Sequence, residues 1–397
     1  MLSTQMDLDL LIDETVRHYG CHRDEVRIVR SPYRICPMGA HIDHQLGPVT
    51  AMAIDRAVYL AFAPSSDTQV RLRSLTFEGE VQFDIQDVPT RHEDDWGNYA
   101  RGAVEAIRSS HDLSRGIVGI TTGQISEGGL SSSAAVGCAY LLALENANDL
   151  SVSAEDNIEL DRQIENDYLG LRNGILDQSA ILLSRNRHLT VIDCATVTYE
   201  LIHQAAAMPD YAILVAFSGV KQALVGTGYN KRVDECAAAA QELLRAAGRE
   251  AQALLGCVTP QEYSEHQGVL RGEPAKRARH FFTECDRVRK GIEAWKEGDL
   301  AGFGRLVSES GRSSIENYEC GSEPLISLYH ILIETEGVYG ARFSGAGFRG
   351  CSIALCDPAK AEAAAEHVAE RYREKHPERA ENDGVIVARP ADGAHIL

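Results

Sequence analysis

Apolar positions along the chain recur at two spacings, and each spacing predicts one kind of element. Recurrence every three or four residues predicts helices, whereas alternation or a short apolar run predicts strands. Helices are predicted at 7–19, 96–109, 133–145, 153–169, 174–183, 230–267, 275–298 and 300–311, and after Asp357-Pro358. Strands are predicted at 26–29, 49–54, 57–62, 70–75, 79–85, 117–121, 188–194, 212–217, 340–343, 351–355 and 385–388.

Both halves of the chain mix helices with strands. A hairpin is predicted at 70–85, and no regular alternation of strand and helix runs through the chain. This pattern is typical of an α+β fold. A length of 397 residues predicts more than one domain. The texture changes near 195–210, so we expect an N-terminal domain at 1–200 and a C-terminal domain at 201–397.

Charge and cysteine usage exclude several classes of function. Lysine and arginine number 39 against 58 aspartates and glutamates, so the formal net charge is −19. Nucleic acids and anionic membranes both attract basic proteins, so neither partner is expected. The ten cysteines form no C-x-x-C pair, and the first residues turn acidic without a secretory leader. We therefore expect reduced thiols and a cytoplasmic protein of unspecified oligomeric state.

Residues 123–144, GQISEGGLSSSAAVGCAYLLAL, carry the strongest local signal for ligand binding. A predicted strand leads into glycines and three serines, which open a helix of small residues. Glycines let the backbone approach a ligand, and free amides at a helix start favour an anion, so a phosphate site is predicted. A capped core helix behind a glycine loop is the alternative. The segment is not a Walker A loop, because no Gly-Lys-Ser/Thr follows.

A second glycine motif, GAGFRG at 345–350, matches the dinucleotide-binding pattern G-x-G-x-x-G. That pattern requires a helix directly after the glycines. Here CSIALC follows, which predicts a strand. We therefore interpret the motif as a tight turn between two strands.

Polar residues cluster among turn formers at 32–49, PYRICPMGAHIDHQLGPV. Arg34, His41, Asp43 and His44 lie close together in this segment. In an extended chain His41 and Asp43 share a face while His44 points away, so one metal ion would not reach all three. Hydrogen bonding to a polar ligand is predicted, and an ordinary polar loop is the alternative.

Two carboxylates stand out at 164–184. Asp177 is predicted in the first turn of an apolar helix that Asn173 would cap, where an aspartate usually serves the helix dipole. Glu165 lies near the end of the preceding helix, against dipole preference, which favours an ion as its partner. By contrast, the basic stretch 276–290 is interleaved with acids and aromatics and is interpreted as a solvated helix face.

Together these segments resemble the GHMP kinases, and the galactokinase-like members in particular. GGLSSSAA resembles the phosphate loop, PYRICPMGAHIDH the galactokinase signature, WGNYARG a tryptophan segment, NGILDQSA the segment of the catalytic aspartate, and YGARFSGAGFRGC the third motif. The likeness is collinear over nearly the whole chain. The wording of GLRNGILDQSAILLS and SSIENYECG is most similar to galacturonokinases.

The resemblance implies two domains around a deep cleft, the first ribosomal S5 domain 2-like and the second ferredoxin-like. It implies transfer of a phosphoryl group from ATP, with Mg²⁺, to a sugar's anomeric hydroxyl. Asp177 is implied as catalytic base, Arg34 as its partner, and Ser133 with Glu165 as Mg²⁺ ligands. ATP-binding positions are implied at Gly128, Gly129, Leu130, Ser131, Ser132, Ser133 and Trp96. Sugar-binding positions are implied at Ala40, His41, Asp43, Arg172, Asn173, Gly174, Tyr229, Gly345 and Gly347.

One position departs from the galactokinase pattern and bears on the substrate. Galactokinases carry a glutamate before the signature histidine, facing the sugar's 6-hydroxyl, and here Ala40 takes that place. A uronic acid has a carboxylate at C6, and two like charges in contact would cost several kcal/mol in a dry site. The sequence therefore favours D-galacturonate, with Arg172 as the candidate partner of its carboxylate. A surface role at a helix start is the alternative for Arg172.

Other functions use the same motifs and stay open as alternatives. Galactokinase, glucuronokinase and arabinokinase activity are the alternatives among the sugar kinases. Some galactokinase relatives are non-catalytic sugar sensors, and those that lost activity lack the Ser-Ala pair after the serine loop. Ser133-Ala134 is present here, together with Asp177 and Arg34, so the sequence favours an enzyme.

Overall fold

The computed structural model describes residues 7–93, 95–125, 128–171, 173–220, 228–347, 350–379 and 384–397. The strands are β1 (Arg27–Ile35), β2 (Val49–Pro64), β3 (Gln69–Ser74), β4 (Glu80–Asp84), β5 (Ile117–Gly123), β6 (His188–Asp193), β7 (Thr198–His203), β8 (Ala212–Phe217), β9 (Val338–Phe343), β10 (Cys351–Cys356), β11 (Gly384–Ala388), β12 (Pro390–Ala391) and β13 (His395–Ile396). The helices are α1 (Leu8–Tyr19), α2 (Asn98–Arg108), α3 (Ser132–Ala147), α4 (Ala154–Gln163), α5 (Leu176–Leu183), α6 (Tyr229–Ala246), α7 (Pro260–His266), α8 (Gly272–Glu297), α9 (Leu300–Ser313), α10 (Glu323–Glu334) and α11 (Ala361–Lys375). The predicted α+β class is confirmed.

The larger sheet is built mainly from the first half of the chain. Its strand order is β13-β1-β2-β5-β3-β4, and β12, β6 and β7 extend it beside β2. The pair β3–β5 is parallel, and its neighbours β3–β4 and β2–β5 are antiparallel. The predicted hairpin at 70–85 is confirmed as β3–β4, which forms one edge of this sheet.

The smaller sheet belongs to the second half and has the order β11-β8-β10-β9, with antiparallel neighbours. Helices α9 and α10 pack against β9, and α11 packs against β8 and β11. The chain then returns to the larger sheet, where β12 pairs with β2 and β13 with β1. The division at residue 200 stays a prediction, because strands on both sides of it belong to the larger sheet.

Helix α3, which the glycine–serine loop opens, lies at the centre of the first half. It packs against β1, β2, α2, α4 and α5. Its small residues allow this close packing, and Ala134, Ala135 and Ala139 are at most 1% exposed. A side chain at Gly137 would place its Cβ 2.1 Å from Oδ1 of Asp161. Glycine at 137 therefore lets α4 approach α3 closely.

Strand β2 corrects the prediction of two strands at 49–54 and 57–62. The polar pair Asp55 and Arg56 suggested a break, but β2 runs unbroken through it. The N–H of Asp55 donates to the carbonyl of Arg389 at 2.9 Å, and Nη2 of Arg56 donates to the carbonyl of Val387 at 3.2 Å. Backbone from the end of the chain satisfies these groups, and no local pattern reveals that partner.

The helical prediction at 230–267 is also wrong in extent. Helix α6 ends at Ala246, and Gly248 adopts a left-handed φ of 68° soon after. A new helix, α7, begins at Pro260 behind a capping Thr259.

Strand β7 and helix α10 were not predicted. Strand β7 has few apolar positions. In α10 the buried Leu325, Leu328, Tyr329 and Leu332 do recur at helical spacing, a usable signal that the sequence analysis missed.

No helix within the described residues has the length and hydropathy needed to cross a membrane. The ten cysteines are free thiols, as predicted. Most of them are buried, and burial raises the pKa of Cys36 and Cys320 to about 12. They therefore pack as small, uncharged side chains.

Candidate active site

Arg34 and Asp177 form the centre of the candidate site. Arg34 lies near the end of β1, just after a bulge in its pairing with β2. Its Nε donates to Oδ1 of Asp177 at 2.7 Å, and its Nη2 lies 2.6 Å from the same oxygen. Nη1 donates to the carbonyl of Gly129 at 3.2 Å. One guanidinium, only 3% exposed, thus joins the carboxylate to the glycine–serine loop.

Asp177 lies in the first turn of α5, as predicted, but Asn173 does not cap that helix. The N-cap residue is Ile175, which makes no side-chain capping bond. The amide of Asn173 instead donates to Oε2 of Glu165 at 2.7 Å. The predicted cap is wrong because the helix begins at Leu176, three residues beyond Asn173, so that Ile175 takes the N-cap position.

Glu165 is a fully buried carboxylate with one unsatisfied oxygen. It lies in a π-helical turn, Ile164–Tyr168, that follows α4. Burial, followed by the charge of Asp177, raises its pKa to about 7 in spite of opposing hydrogen bonds from Ser133 and Asn173. Its Oε1 has no hydrogen-bond partner among the described residues. An orphaned carboxylate oxygen beside a serine hydroxyl is a donor set that fits Mg²⁺.

Protein side chains alone would not complete such an ion site. No group of three or more His, Cys, Asp or Glu side chains in the described ranges could hold a metal ion. Mg²⁺ usually keeps several waters and binds substrate phosphates together with one or two protein ligands. The sparse donor set is therefore of the kind that a metal–nucleotide complex requires.

The glycine–serine loop presents an open helix start. Gly129 has φ of 102° and Ser131 has φ of 56°, both left-handed, and α3 begins immediately afterwards. The N-cap Ser131 makes no side-chain bond to the first turn. The first amides of α3 are therefore not occupied by a side-chain cap and face the loop, which is the arrangement that binds anions.

The GAGFRG turn lies on this loop. The strand predicted after the motif is confirmed as β10, so the dinucleotide-binding interpretation is excluded. A Cβ at Gly345 would lie 3.1 Å from Cα of Gly129, and a Cβ at Gly350 would lie 2.3 Å from the carbonyl of Gly128. Only glycines allow the two loops to pack so closely.

The signature loop, which joins β1 to β2 and carries Ala40, His41 and Asp43, is not extended as predicted. His41 has a left-handed φ of 67°, and a 3₁₀ turn, Asp43–Gln45, follows it. The ring of His41 stacks on Tyr318 with centroids 4.3 Å apart, and Nε2 of His44 lies 3.2 Å from the Tyr318 hydroxyl. The prediction that His44 points away is therefore wrong, because one distant tyrosine contacts both histidines.

Asp43 and Gly174 lie beside the central pair. A Cβ at Gly174 would lie 2.3 Å from Oδ2 of Asp43, so only glycine fits at that position. Burial, followed by the charge of Asp177, raises the pKa of Asp43 to about 6. The structure thus brings Arg34 and Asp43, which the sequence analysis placed in one segment, together with Asp177 of another.

His41 is held neutral in this pocket. Burial lowers its pKa well below the ordinary value, and the charges of His280, Arg342 and His44 lower it further. Its Nε2 lies 3.4 Å from Sγ of Cys320. A Cβ at Gly347 would lie 2.9 Å from the same sulfur, so the third motif reaches this side of the site as well.

Three further predicted positions are Trp96, Arg172 and Tyr229. Nε1 of Trp96 donates to the carbonyl of Glu78 at 3.2 Å, which fixes the indole between the β3–β4 turn and α2. Arg172 lies outside the described residues. The side chain of Tyr229, the first residue of α6, also lies outside them.

Helix α8 corrects the interpretation of 276–290 as a solvated face. Arg277, His280 and Glu284 are at most 1% exposed. They share one face with Phe281 and Val288, at the helical spacing that marks a buried stripe. That spacing was a usable signal, but the density of charge along the segment concealed it. His280 and Glu284 contact the signature loop, and no motif pointed to them.

Comparison with known proteins agrees with this geometry. Family models described as GHMP kinases N terminal domain, GHMP kinases C terminal, and galactokinase galactose-binding signature match residues 98–185, 291–374 and 16–64. The galacturonokinase of Arabidopsis thaliana is 51% identical over 419 aligned residues, which cover 99% of each chain. The chain belongs to the GHMP kinase family.

Other GHMP kinases support this assignment. A galactokinase of Roseiflexus sp. is 33% identical, over 98% of this chain and 97% of its own. The crystal structure of Lactococcus lactis galactokinase complexed with galactose matches with a TM-score of 0.90 at 28% identity, covering 99% of this chain and 100% of that one. Methanococcus jannaschii mevalonate kinase shares the fold, with a TM-score of 0.64 at 14% identity over 92% of this chain and 98% of that one. The expected two-domain GHMP kinase fold is confirmed, and the chain is an ATP-dependent sugar kinase.

Proposed function

We propose that this kinase transfers the γ-phosphoryl group of ATP to the anomeric hydroxyl of D-galacturonate, giving galacturonate 1-phosphate and ADP. The observation that carries the proposal is Ala40. It is 6% exposed and lies directly before His41, in the loop that meets the site. Galactokinases have a glutamate there, which would repel a carboxylate at C6. The high identity to a galacturonokinase supports the same substrate.

Asp177 acts as the general base. It accepts the proton of the anomeric hydroxyl while that oxygen bonds to the γ-phosphorus and the bond to the β–γ bridging oxygen breaks, so that ADP leaves. Its 22% exposure leaves the carboxylate accessible to a substrate hydroxyl. The two contacts from Arg34 hold the carboxylate in place for this role.

Arg34 has a second role at the phosphate. Because its Nη1 also bonds the carbonyl of Gly129, the guanidinium lies between the base and the glycine–serine loop. Its positive charge offsets charge that spreads over the transferring phosphoryl group. The backbone of Gly128–Ser133 and the open start of α3 hold the triphosphate, and Trp96 lies near the adenine.

Ser133 and Glu165 hold Mg²⁺ in this proposal. The unsatisfied Oε1 of Glu165 and the adjacent Ser133 hydroxyl support the assignment. When bound, the ion neutralises charge on the β- and γ-phosphates. Asn173 orients Glu165 through its 2.7 Å bond.

The sugar is held by backbone and side chains from three segments. The signature loop contributes Ala40, His41 and Asp43, and the remaining proposed positions are Arg172, Asn173, Gly174, Tyr229, Gly345 and Gly347. Asp43 accepts sugar hydroxyls, which its closeness to Gly174 and Asp177 supports. Arg172 remains the proposed partner of the C6 carboxylate. Arg172→Ala should lower kcat/KM for galacturonate more than kcat/KM for galactose. An equal loss of kcat/KM with both sugars would argue against that contact.

A sugar panel tests the proposal. ADP release would be followed with D-galacturonate, D-galactose, D-glucuronate and L-arabinose, with Asp177→Asn as the background control. We expect kcat/KM for galacturonate to exceed that for galactose by at least about tenfold, which is about 1.4 kcal/mol. Faster turnover of galactose would instead establish a galactokinase, the function that the Roseiflexus relative favours. Turnover of none of the sugars above background would leave a non-catalytic sugar sensor. The free thiols support a cytoplasmic location.

A further inference from the structure

One helix of the second half of the chain makes two side-chain contacts to the backbone of the loop that carries Ala40. Helix α8 presents His280 and Glu284 one turn apart toward this loop. Oε1 of Glu284 accepts the N–H of Gly39 at 2.7 Å, and Nε2 of His280 lies 3.1 Å from the carbonyl oxygen of Ala40. Both side chains are at most 1% exposed. Two adjacent residues of the sugar loop are therefore held through their backbones.

The contacts of His280 fix its tautomer. A carbonyl oxygen only accepts, so Nε2 must carry the proton that faces Ala40. Nδ1 then has a lone pair, which faces the hydroxyl of Ser313 at 3.0 Å, so that hydroxyl must donate. The Ser313 oxygen accepts in turn from the amide of Asn317 at 3.2 Å. The imidazole is thus oriented from both sides.

Glu284 is a charged and well-satisfied partner. Its Oε2 lies 2.7 Å from Nε of Arg287, its Oε1 lies 3.6 Å from Nη1 of Arg342, and the hydroxyl of Ser310 donates to it. Burial raises its pKa, but its neighbours, with the charge of Arg287 the largest influence among them, lower that pKa to about 2. A buried carboxylate that is paired on both sides is a rigid anchor for a backbone N–H.

The loop needs such an anchor because its backbone is tightly turned before Ala40 and strained directly after it. Gly39 has φ of 95°, and His41 has φ of 67°, a left-handed value in a residue with a Cβ. A Cβ at Gly39 would lie 2.6 Å from Cα of Val49, which forces that position to be glycine. A non-glycine residue in the left-handed region costs about 1–3 kcal/mol and persists only where its surroundings impose it.

We propose that His280 and Glu284 are positioning residues for the sugar: they set where the Ala40 backbone lies, and thereby how the C6 group of the sugar fits. The inference rests on the proposed function in that it takes Ala40 to face C6. None of the contacts described here involves 128–133, where the triphosphate is proposed to bind. Removing the contacts of His280 or Glu284 to the loop should therefore raise the KM for the sugar and leave the KM for ATP unchanged.

The test compares two substitutions at one position. His280→Leu removes the donor to Ala40 at nearly constant volume, and a buried hydrogen bond together with the loop order it supports is worth about 1–2 kcal/mol. We expect the KM for galacturonate to rise about tenfold, with the KM for ATP within twofold of the wild type. His280→Gln offers an amide N–H to the same carbonyl and should recover most of the loss. Equal increases in both KM values, or no rescue by glutamine, would overturn the proposal.

Two further variants separate positioning from general loss of stability. Phe303→Leu creates a packing defect where α9 meets Trp295, 5.2 Å between ring centroids, and should lower Tm without changing the KM for the sugar. A matching rise in that KM at an equal loss of Tm would contradict the positioning role. Glu284→Gln keeps an acceptor for the N–H of Gly39 but loses the ion pairs with Arg287 and Arg342, so a KM for the sugar equal to that of the wild type would also contradict it.

The experiment distinguishes failure of this inference from failure of the proposed function. If the wild type does not phosphorylate galacturonate, the proposed function fails, and the same variants are compared on whichever sugar the wild type does phosphorylate. A selective rise in the KM for that sugar then supports the positioning role of His280 and Glu284, whichever sugar is the substrate. An unchanged KM for every sugar overturns it.

Discussion

The Nε atom of Arg34 lies 2.7 Å from Oδ1 of Asp177, although 143 residues separate the two along the chain. The same guanidinium reaches the carbonyl of Gly129 in the glycine–serine loop. The proposed base for the sugar hydroxyl and the proposed loop for the triphosphate are therefore joined to one buried guanidinium. In the proposed mechanism this linkage sets the distance between the two substrates, on which phosphoryl transfer chiefly depends.

Replacing the base should abolish turnover while ATP binding survives. Asp177→Asn keeps the shape of the side chain and an oxygen for Arg34 but cannot accept the anomeric proton. We expect kcat to fall about 10³-fold, within the range for loss of a general base, and the Kd of ATP to stay within about threefold. Steady-state kinetics and calorimetric titration with ATP measure the two effects. The exposed Asp112→Asn serves as a control, and wild-type kcat in Asp177→Asn would remove the base assignment.

Introducing a carboxylate directly before His41 should lower kcat/KM for a uronic acid. Ala40→Glu would place a negative charge against C6, so we expect kcat/KM for galacturonate to fall about a hundredfold relative to Ala40→Gln. The glutamine variant has the same bulk and so controls for the limited space at this buried position. Galactose should be affected equally by both variants or favoured by glutamate. An equal loss of galacturonate activity in both variants would show that volume, not charge, decides.

The pKa of Asp43 should be visible in both activity and stability. Burial, followed by the charge of Asp177, raises that pKa to about 6. Below this value the free enzyme loses an acceptor for the sugar, so kcat/KM should fall on the acid side with an apparent pKa near 6. A profile that stays flat down to pH 5 would contradict this.

The stability effect of Asp43 has the opposite sign. The folded state holds this proton more tightly than the unfolded state between the ordinary pKa of 3.8 and about 6. Its contribution to the free energy of unfolding is therefore present at low pH and lost as pH rises through about 6. Asp43→Asn removes the buried charge, so we expect its Tm at pH 8 to exceed that of the wild type, with a smaller gain at pH 5. Thermal unfolding at the two pH values measures this.

Removing the proposed metal ligand should raise the demand for Mg²⁺. Glu165→Gln keeps an acceptor for Asn173 but removes the charge, so the Mg²⁺ concentration at half-maximal rate should rise at least about tenfold. Without the ion, the variant should be at least as stable as the wild type at pH 8, because a desolvated carboxylate is gone. Glu145→Gln is a matched control, since Glu145 is also a buried carboxyl with its pKa raised to about 7. An equal change in Mg²⁺ dependence in both variants would contradict the assignment.

Much of the site could be predicted because its signals are local. The first-turn position of Asp177 follows from the apolar helix around it, and the open start of α3 follows from the glycines and serines before it. The strand after GAGFRG follows from its short apolar run. Each of these features depends on neighbours within about ten residues, which the sequence displays directly.

The remainder depends on partners that are distant along the chain. Asn173 serves Glu165 and not the helix start, and His44 turns toward Tyr318, which lies 274 residues away. His280 and the carbonyl oxygen of Ala40, which are in contact, are separated by 240 residues along the chain. No local spacing reveals such contacts, and the charged segment around His280 suggested a solvent-facing helix instead.

A direct competition between two sugars tests the central claim. Equal concentrations of D-galacturonate and D-galactose would be mixed with limiting ATP, and the two anomeric phosphates counted by ³¹P NMR. The ratio of products equals the ratio of kcat/KM values, whatever the absolute rates. We expect galacturonate 1-phosphate to exceed galactose 1-phosphate by at least about tenfold. An excess of galactose 1-phosphate would contradict the assignment of galacturonate as the substrate.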